Sequence, residues 1–510
     1  MIGRVIGGSA GKVLLRIKSN VRVDIGDILI VEENGFKYYI KVVNALINSL
    51  LPGQFIDDIA GQKLEHDLEL RLFDEEDRFY RVCEAKILKI WHKNVFYPAR
   101  NTPHYFAEVR PARSEEFKFL SDYDGIEVGN LRLGTKEMTD VKVKIPAKRL
   151  INHHVLISAA TGKGKSNFAK VFIKGLFNID QVSALVVDPH NEYYGNAGVK
   201  GLRDLRNNKL MYLTPKTQHY PGSEQLIIYG EDLNPGDFME VINTSSPQNE
   251  AMNLARRIYG KKWLLELLVN NNIDDVFGAF KGKVRKETIS ALKRKLLNIL
   301  HLGPDGLKGL IFTLEKREEP SIFAKIKKGV SSNKIIIIDT SLVGDLSERL
   351  ITTSITRSLF KSYKRTKEEA PEKFNTLPEL MILFEEAPRV LGKAVLERGS
   401  NVFAKIAREG RKFKVGLCAI TQMPSLLPQE ILSQMNTKVV LGIPSPSDRQ
   451  AIINSSAQDI NDEASEIQML DKGEAIITSP FTNFPLPVKV HFFDNLIKDE
   501  SRGKINIGLS

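Results

Sequence analysis

Cysteine is almost missing from this chain: two residues in 510, Cys83 and Cys418. That excludes a disulfide framework and a cysteine-based zinc site. The nine histidines show no zinc-ligand spacing either. Long hydrophobic runs are absent, and stretches such as Lys334–Ile338 and Leu380–Phe384 are of strand length, far short of the roughly 18–20 residues that cross a bilayer. The opening MIGRVIGGSAGKVLLRIK has no apolar stretch ahead of a small-residue cleavage site, so a cytoplasmic protein without a membrane anchor is expected. Internal repeats and low-complexity tracts are lacking. What is present is ordinary for a folded chain: 42% hydrophobic and 26% charged residues. The length suggests roughly three folding units. Seventy-three basic against 62 acidic residues give a net charge of +11, which leans toward a polyanionic partner without identifying one.

Short β-like runs dominate residues 1–110: Ile2–Ile6, Lys12–Ile17, Asp27–Val31, Phe36–Val43, Arg78–Val82, Ala85–Trp91 and Tyr105–Val109. Asn34-Gly35 supplies the pair of positive-φ residues that a type I′ hairpin needs. Closely spaced strands with glycine turns predict a small barrel or sandwich. Residues 111–150 read as a connector with one or two strands. From 151 the texture changes to β-branched runs alternating with amphipathic stretches: His154–Ser158, Ala184–Asp188, Lys334–Asp339, Leu380–Phe384, Val415–Thr421 and Thr437–Gly442. That alternation predicts an α/β core with a doubly wound parallel sheet, in two parts, 151–245 and 331–490. Residues 246–330 carry apolar positions at helical period and read as a helical insert. Residues 491–510 read as a polar tail.

Residues 159–166 are Ala-Ala-Thr-Gly-Lys-Gly-Lys-Ser, the P-loop pattern with Ala159 in place of its first glycine. Gly162 and Gly164 allow a tight turn whose N–H groups face a β-phosphate, with Ala160, Thr161, Lys163 and Asn167 flanking it. Lys165 brings a cation between the β- and γ-phosphates, and the Ser166 hydroxyl is a Mg²⁺ ligand. ATP and Mg²⁺ are therefore the expected cofactors. A strand enters the loop and a helix leaves it, aiming its dipole at the anion. Glu385 and Glu386 follow the run Leu380–Phe384 at the sheet edge where ligands sit. Glu385 would hold the metal through its water shell, and Glu386 would orient and deprotonate the attacking water. Adjacent acids at a strand end can also be no more than a solvated edge. Asp188, opening Asp188-Pro-His-Asn-Glu-Tyr193, could reach the metal's water shell, while His190 reads as a structural hydrogen-bonder. Gln422, after Thr421, is placed to touch the γ-phosphate or the water.

Together these motifs resemble the HerA-type DNA translocases of archaea, in the HerA/FtsK branch of RecA-like ATPases. The blocks that carry the likeness are AATGKGKSN (159–167), VDPHNEYY (187–194), FEEAP (384–388) and IAREGRKFKVGLCAITQMP (406–424), followed in order by ILSQMNTKVVLGI (431–443) and KGEAIITSP (472–480). The resemblance implies a RecA-like core, an N-terminal barrel of the family's own type, and a homohexamer that threads double-stranded DNA. It also implies a NurA-type nuclease partner on the barrel and a role in resecting double-strand-break ends. It makes Glu386 catalytic, Gln422 a γ-phosphate sensor, and Arg411 an arginine finger for the neighbouring subunit, with Arg408 as competitor. Without the resemblance both arginines read as a solvated helix face. The chain departs from the family pattern at Pro388 and His153, where a histidine and an arginine are common. A conjugation or packaging motor and an ATP-dependent assembly scaffold are the alternative readings. For DNA contact, the loop Arg389–Arg398 is the better candidate. The basic run Lys281, Lys283, Arg285, Lys286, Lys293, Arg294 and Lys295 reads first as an exposed helix face. With no aromatic platform evident, backbone contacts without sequence readout are expected.

Overall fold

The computed structural model describes residues 1–9, 11–65, 78–196, 198–205, 207–216, 223–303, 305–317, 319–397, 399 and 401–497. Strands β1 (Gly3–Ser9), β2 (Lys12–Ile17), β3 (Ile28–Glu33), β4 (Phe36–Ser49), β5 (Phe79–His92), β6 (Val95–Tyr97) and β7 (Glu108–Pro111) form one antiparallel sheet. Its order is β2-β1-β7-β3-β4-β5-β6, and β2 also pairs with β5, so the sheet closes into a barrel without open edges in the ring. Asn34 (φ 50°) and Gly35 (φ 80°) both sit in the left-handed region between β3 and β4, as a type I′ turn requires. Alternation along β2 turns Val13, Leu15 and Ile17 inward, where they meet Val31, Ile40, Ala85 and Val109.

The second sheet takes strands β8 (Ile126–Leu133), β9 (Lys136–Ile145), β10 (Val155–Ala159), β11 (Val182–Asp188), β12 (Leu210–Thr214) and β13 (Ser223–Gln225). A small separate pair, β14 (Ile228–Tyr229) and β15 (Phe312–Thr313), borders the insert. The sheet continues with β16 (Ile335–Asp339), β17 (Glu379–Phe384), β18 (Val415–Thr421), β19 (Thr437–Leu441), β20 (Glu474–Thr478) and β21 (Leu486–Val490). The order is β13-β12-β16-β11-β17-β18-β10-β19-β20-β21-β8-β9, parallel from β13 to β19 and antiparallel beyond. Strands such as β16, Ile-Ile-Ile-Ile-Asp, are buried along their whole length. Continuous apolar runs are what a parallel sheet covered on both faces demands. Helices Lys165–Leu176, Ile322–Ser331, Asp345–Glu369 and Val402–Glu409 supply that cover. The insert's helices Ser246–Tyr259 and Lys286–Leu300 pack around Trp263 within the same core, and the Trp263 indole N–H donates to the Leu233 carbonyl at 3.0 Å.

Two features differ from the sequence reading. Residues 126–145 are not a mere connector: β8 pairs with β21 and carries the central sheet on to β9. At the other end, Phe493 is buried and Leu496 and Ile497 pack against the core, so these first residues after β21 are not a polar tail; residues 498–510 lie outside the described residues.

The barrel is fastened to the core by charge. Lys41 on β4 has its ammonium 2.5 Å from Glu466 Oε2 and 3.6 Å from Glu463 Oε1, all three side chains buried. Arg132 on β8 takes the other Glu466 oxygen at 2.5 Å. Around this centre Lys86 meets Asp459 at 3.0 Å, and Lys12 meets Asp462 at 2.5 Å.

Candidate functional site

β10 runs buried from Val155 to Ala159 between β18 and β19, and the loop after it turns through Gly162 (φ 78°) and Gly164 (φ 107°). Those left-handed positions are why glycine is needed there. Lys165 then opens the helix Lys165–Leu176, with Ser166 half-buried in its first turn. The loop is pinned on its far side: the Ala160 N–H donates to the Gly442 carbonyl at 3.1 Å, and the Lys163 ammonium donates to the Leu470 carbonyl at 2.7 Å. Lys163 is thereby directed toward the segment before β20. Thr161 Oγ1 donates to Gln422 Oε1 at 2.7 Å, which brings the residue after β18 up to the loop. Asn167 faces elsewhere. Its amide donates to the His491 carbonyl at 2.8 Å and its Oδ1 accepts from the Phe493 N–H at 2.9 Å, latching the C-terminal segment instead of lining the phosphate loop.

The acids stand two strands away, at the end of β17. Glu385 is buried, and its Oε2 accepts from the Lys165 ammonium at 3.1 Å. The Tyr193 hydroxyl donates to Glu385 Oε1, and His190 Nε2 lies 4.0 Å from Oε2. Glu386 is half-buried and adopts φ +50°, a left-handed conformation that costs a glutamate about 1–2 kcal/mol. Strain of that kind gathers at functional positions, and here it falls on the residue read as the base. Asp188 is held by the main chain that follows it. It is 1% exposed, and its two oxygens accept the backbone N–H groups of Glu192 and Tyr193 at 3.0 and 2.9 Å. Burial, with the charges of Asp339 and Glu385, pushes it up to about 6. The residue that the sequence reading left without a role is Tyr193: it lies in a quoted block, but no spacing announces that its hydroxyl reaches Glu385.

Arg408 and Arg411 lie at the opposite edge. Strands β10 and β18 run parallel in register, Val155 beside Cys418 and Ser158 beside Thr421. Arg411 precedes β18 whereas Lys165 follows β10, which separates them by roughly 20 Å at about 3.3 Å per strand residue. Both arginines are exposed, and among the described residues neither enters an ion pair. His153 shares this edge; burial lowers its pKa, and the Arg411 charge lowers it further. Of the loop expected to meet DNA, Arg389 is engaged within the chain, 3.1 Å from Asp345 and 3.9 Å from Glu348, and Arg398 lies outside the described residues. In the basic run, Lys286 pairs with Asp274, Lys293 donates to the Asn271 carbonyl and Lys295 to Asn243 and Gln248, while Lys281, Lys283, Arg285 and Arg294 are exposed.

A family model described as the central domain of helicase HerA matches residues 126–359, starting at the first residue of β8. The DNA double-strand break repair helicase HerA of Saccharolobus solfataricus is 27% identical over 500 residues, covering 97% of this chain and 93% of that protein. Along most of its length the chain is similar to HerA-type helicases. The HerA protein of Pyrococcus furiosus, carrying the same description, is 26% identical over 468 residues, 84% of this chain and 79% of its own. Among solved structures, the plasmid coupling protein TrwB aligns at a TM-score of 0.49 with 16% identity, over 75% of this chain and 93% of TrwB. The HerA match opens where the central sheet gains its antiparallel edge, so the hairpin β8–β9 belongs to the family's core unit and not to a linker.

Proposed function

We propose that this chain is an ATP-driven DNA translocase that works as a ring of identical subunits, each carrying two half-sites for ATP hydrolysis. One observation carries the reading: Lys165 and Glu385 meet at the exit edge of the sheet, while Arg411 projects from the entry edge. A chain so built holds one half of a hydrolysis site at each end, and stacking chains side by side joins the halves. At the exit edge the loop N–H groups and Lys165 take the phosphates, Gln422 is held beside them by Thr161, and Glu386 accepts the proton of the attacking water. Ser166 and Glu385 would hold Mg²⁺, which supplies charge neutralisation on the β- and γ-phosphates. One hydroxyl and one carboxylate suit an ion that keeps several waters and takes phosphate oxygens as ligands. Among the described residues no group of three His, Cys, Asp or Glu forms a closed metal cage. Arg411 of the next subunit then meets the charge developing on the γ-phosphoryl oxygens, an effect of about a thousandfold or more in rate.

The relatives' description as DNA double-strand break repair helicases supports DNA as the track and break-end processing as the setting. The barrel, fixed to the core through Lys41, Lys86 and Lys12, suits a platform for a NurA-type nuclease. No helix among the described residues is long and apolar enough to cross a membrane. The test mixes two inactive proteins. Arg411→Ala and Glu386→Gln assemblies should each be dead, while mixed rings regain activity at interfaces that pair an intact Glu386 with an intact Arg411. Silence at every mixing ratio, in rings shown by mass to be mixed, would count against a shared site, and Arg408→Ala in place of Arg411→Ala then tests the other arginine.

A further inference from the structure

The Tyr193 hydroxyl, which donates to Glu385, takes no part in hydrolysis itself. Tyr193 has no exposed surface, and its ring lies in the core beneath the sheet's exit edge. Its main chain is fixed from the other side by Asp188, which accepts the N–H groups of Glu192 and Tyr193. Asn191, at φ 52°, turns the segment so that those N–H groups point back at the strand end. The two oxygens of Glu385 are thereby divided, Oε1 to the Tyr193 hydroxyl and Oε2 to Lys165. The terminal torsion of a glutamate is soft, so a carboxylate held at one oxygen only would be free to swing its plane about the Cγ–Cδ bond.

We propose that Tyr193 is a positioning residue for metal binding: by holding Glu385 Oε1 it fixes the carboxylate plane and leaves Oε2 to face the phosphate-loop side, with Asp188 anchoring Tyr193 instead of serving as a ligand. The inference rests on the reading of Glu385 as the residue that holds the metal. Hydrogen-bond partners that orient a metal-binding carboxylate are worth about 10–100-fold in metal affinity. Tyr193→Phe keeps the ring in the core and removes only the hydroxyl.

The experiment uses the full chain and reads binding, not turnover: Mg²⁺ is titrated into protein mixed with a fluorescent non-hydrolysable ATP analogue. Tyr193→Phe should raise the Mg²⁺ midpoint about tenfold while leaving the metal-free affinity for the analogue unchanged. In a Glu385→Gln background the same substitution should add nothing beyond about twofold, because the two residues act as one unit. A midpoint within about threefold of the parent overturns the proposal, as does a full shift that persists in Glu385→Gln. If Glu385→Gln alone leaves the midpoint unmoved, the metal reading of Glu385 fails first, and this inference with it. Should Tyr193→Phe fail to fold, Asp188→Ala removes the anchor instead and must give the same Glu385-dependent shift; an unshifted midpoint there overturns the proposal equally.

Discussion

Asp188 and Asp339 are register partners at the ends of β11 and β16, and the fold drives their carboxyls in opposite directions. Burial lifts Asp188 to about 6. Burial would also raise Asp339, but hydrogen bonds from Ser341, Tyr212 and Thr214 outweigh it and hold that group below the usual carboxylate range. Asp339 gathers three hydroxyls, a backbone N–H and the Lys216 ammonium, whereas Asp188, among the described residues, accepts two backbone N–H groups.

This asymmetry sets the acid response. Raised from 3.8 to about 6, Asp188 contributes stability that is complete below 3.8 and lost as pH rises through 6. His154 acts in the other sense: burial lowers it from 6.5 to about 4, so its contribution is present above 6.5 and lost as pH falls through 4. Each is on the order of 3 kcal/mol, and they oppose one another across the same window. Asp188→Asn should therefore lose stability between pH 6 and 4 more steeply than the parent in urea denaturation. A curve parallel to the parent's would refute this balance.

Glu386→Gln should bind ATP·Mg²⁺ normally and hydrolyse it about 10²–10⁴-fold more slowly, since a positioned base is worth that much. Glu385→Gln should instead raise the Mg²⁺ requirement. Single-turnover rates at saturating Mg²⁺ decide the pair: if Glu385→Gln is the slower enzyme there, the two roles are reversed.

At the barrel seam, Lys41→Ala leaves Glu463 and Glu466 buried with fewer cations, which should cost about 3–5 kcal/mol. Lys12→Ala, at a half-exposed pair with Asp462, should cost under about 1 kcal/mol. Denaturant midpoints of the two variants measure the difference, and equal costs would show that the buried network does not fasten the barrel.

DNA-stimulated ATP turnover should fall steeply with added salt, because each phosphate contact releases a counterion, and it should be indifferent to sequence. Turnover on duplexes of unrelated sequence at fixed salt checks this; a strong preference for one sequence would count against a motor that tracks the backbone.

The core strands of the site were legible because their signals are local. β10, the glycine turn and the helix from Lys165 occupy one continuous stretch, and β17 runs straight into Glu385 and Glu386. The anchoring of Asp188 was not legible. Nothing in the spacing announces that the left-handed step at Asn191 folds two N–H groups over this strand-end acid. Tyr193 reaches Glu385 across 192 positions, and no periodicity encodes such a contact. The hairpin β8–β9 read as a connector for the same reason, because its partner β21 is supplied by the far end of the chain.

That pairing imposes an order on biosynthesis. The barrel's strands all lie before residue 112, so the ring can close while most of the chain is still to be made. β8 emerges next, but β21, which covers its edge, begins only at Leu486. At about 5–20 residues per second, ribosomes leave that edge waiting for roughly 20–70 seconds. An uncovered strand edge is a template for stray pairing, so the nascent chain carries an unprotected edge while the rest of its central sheet is synthesised.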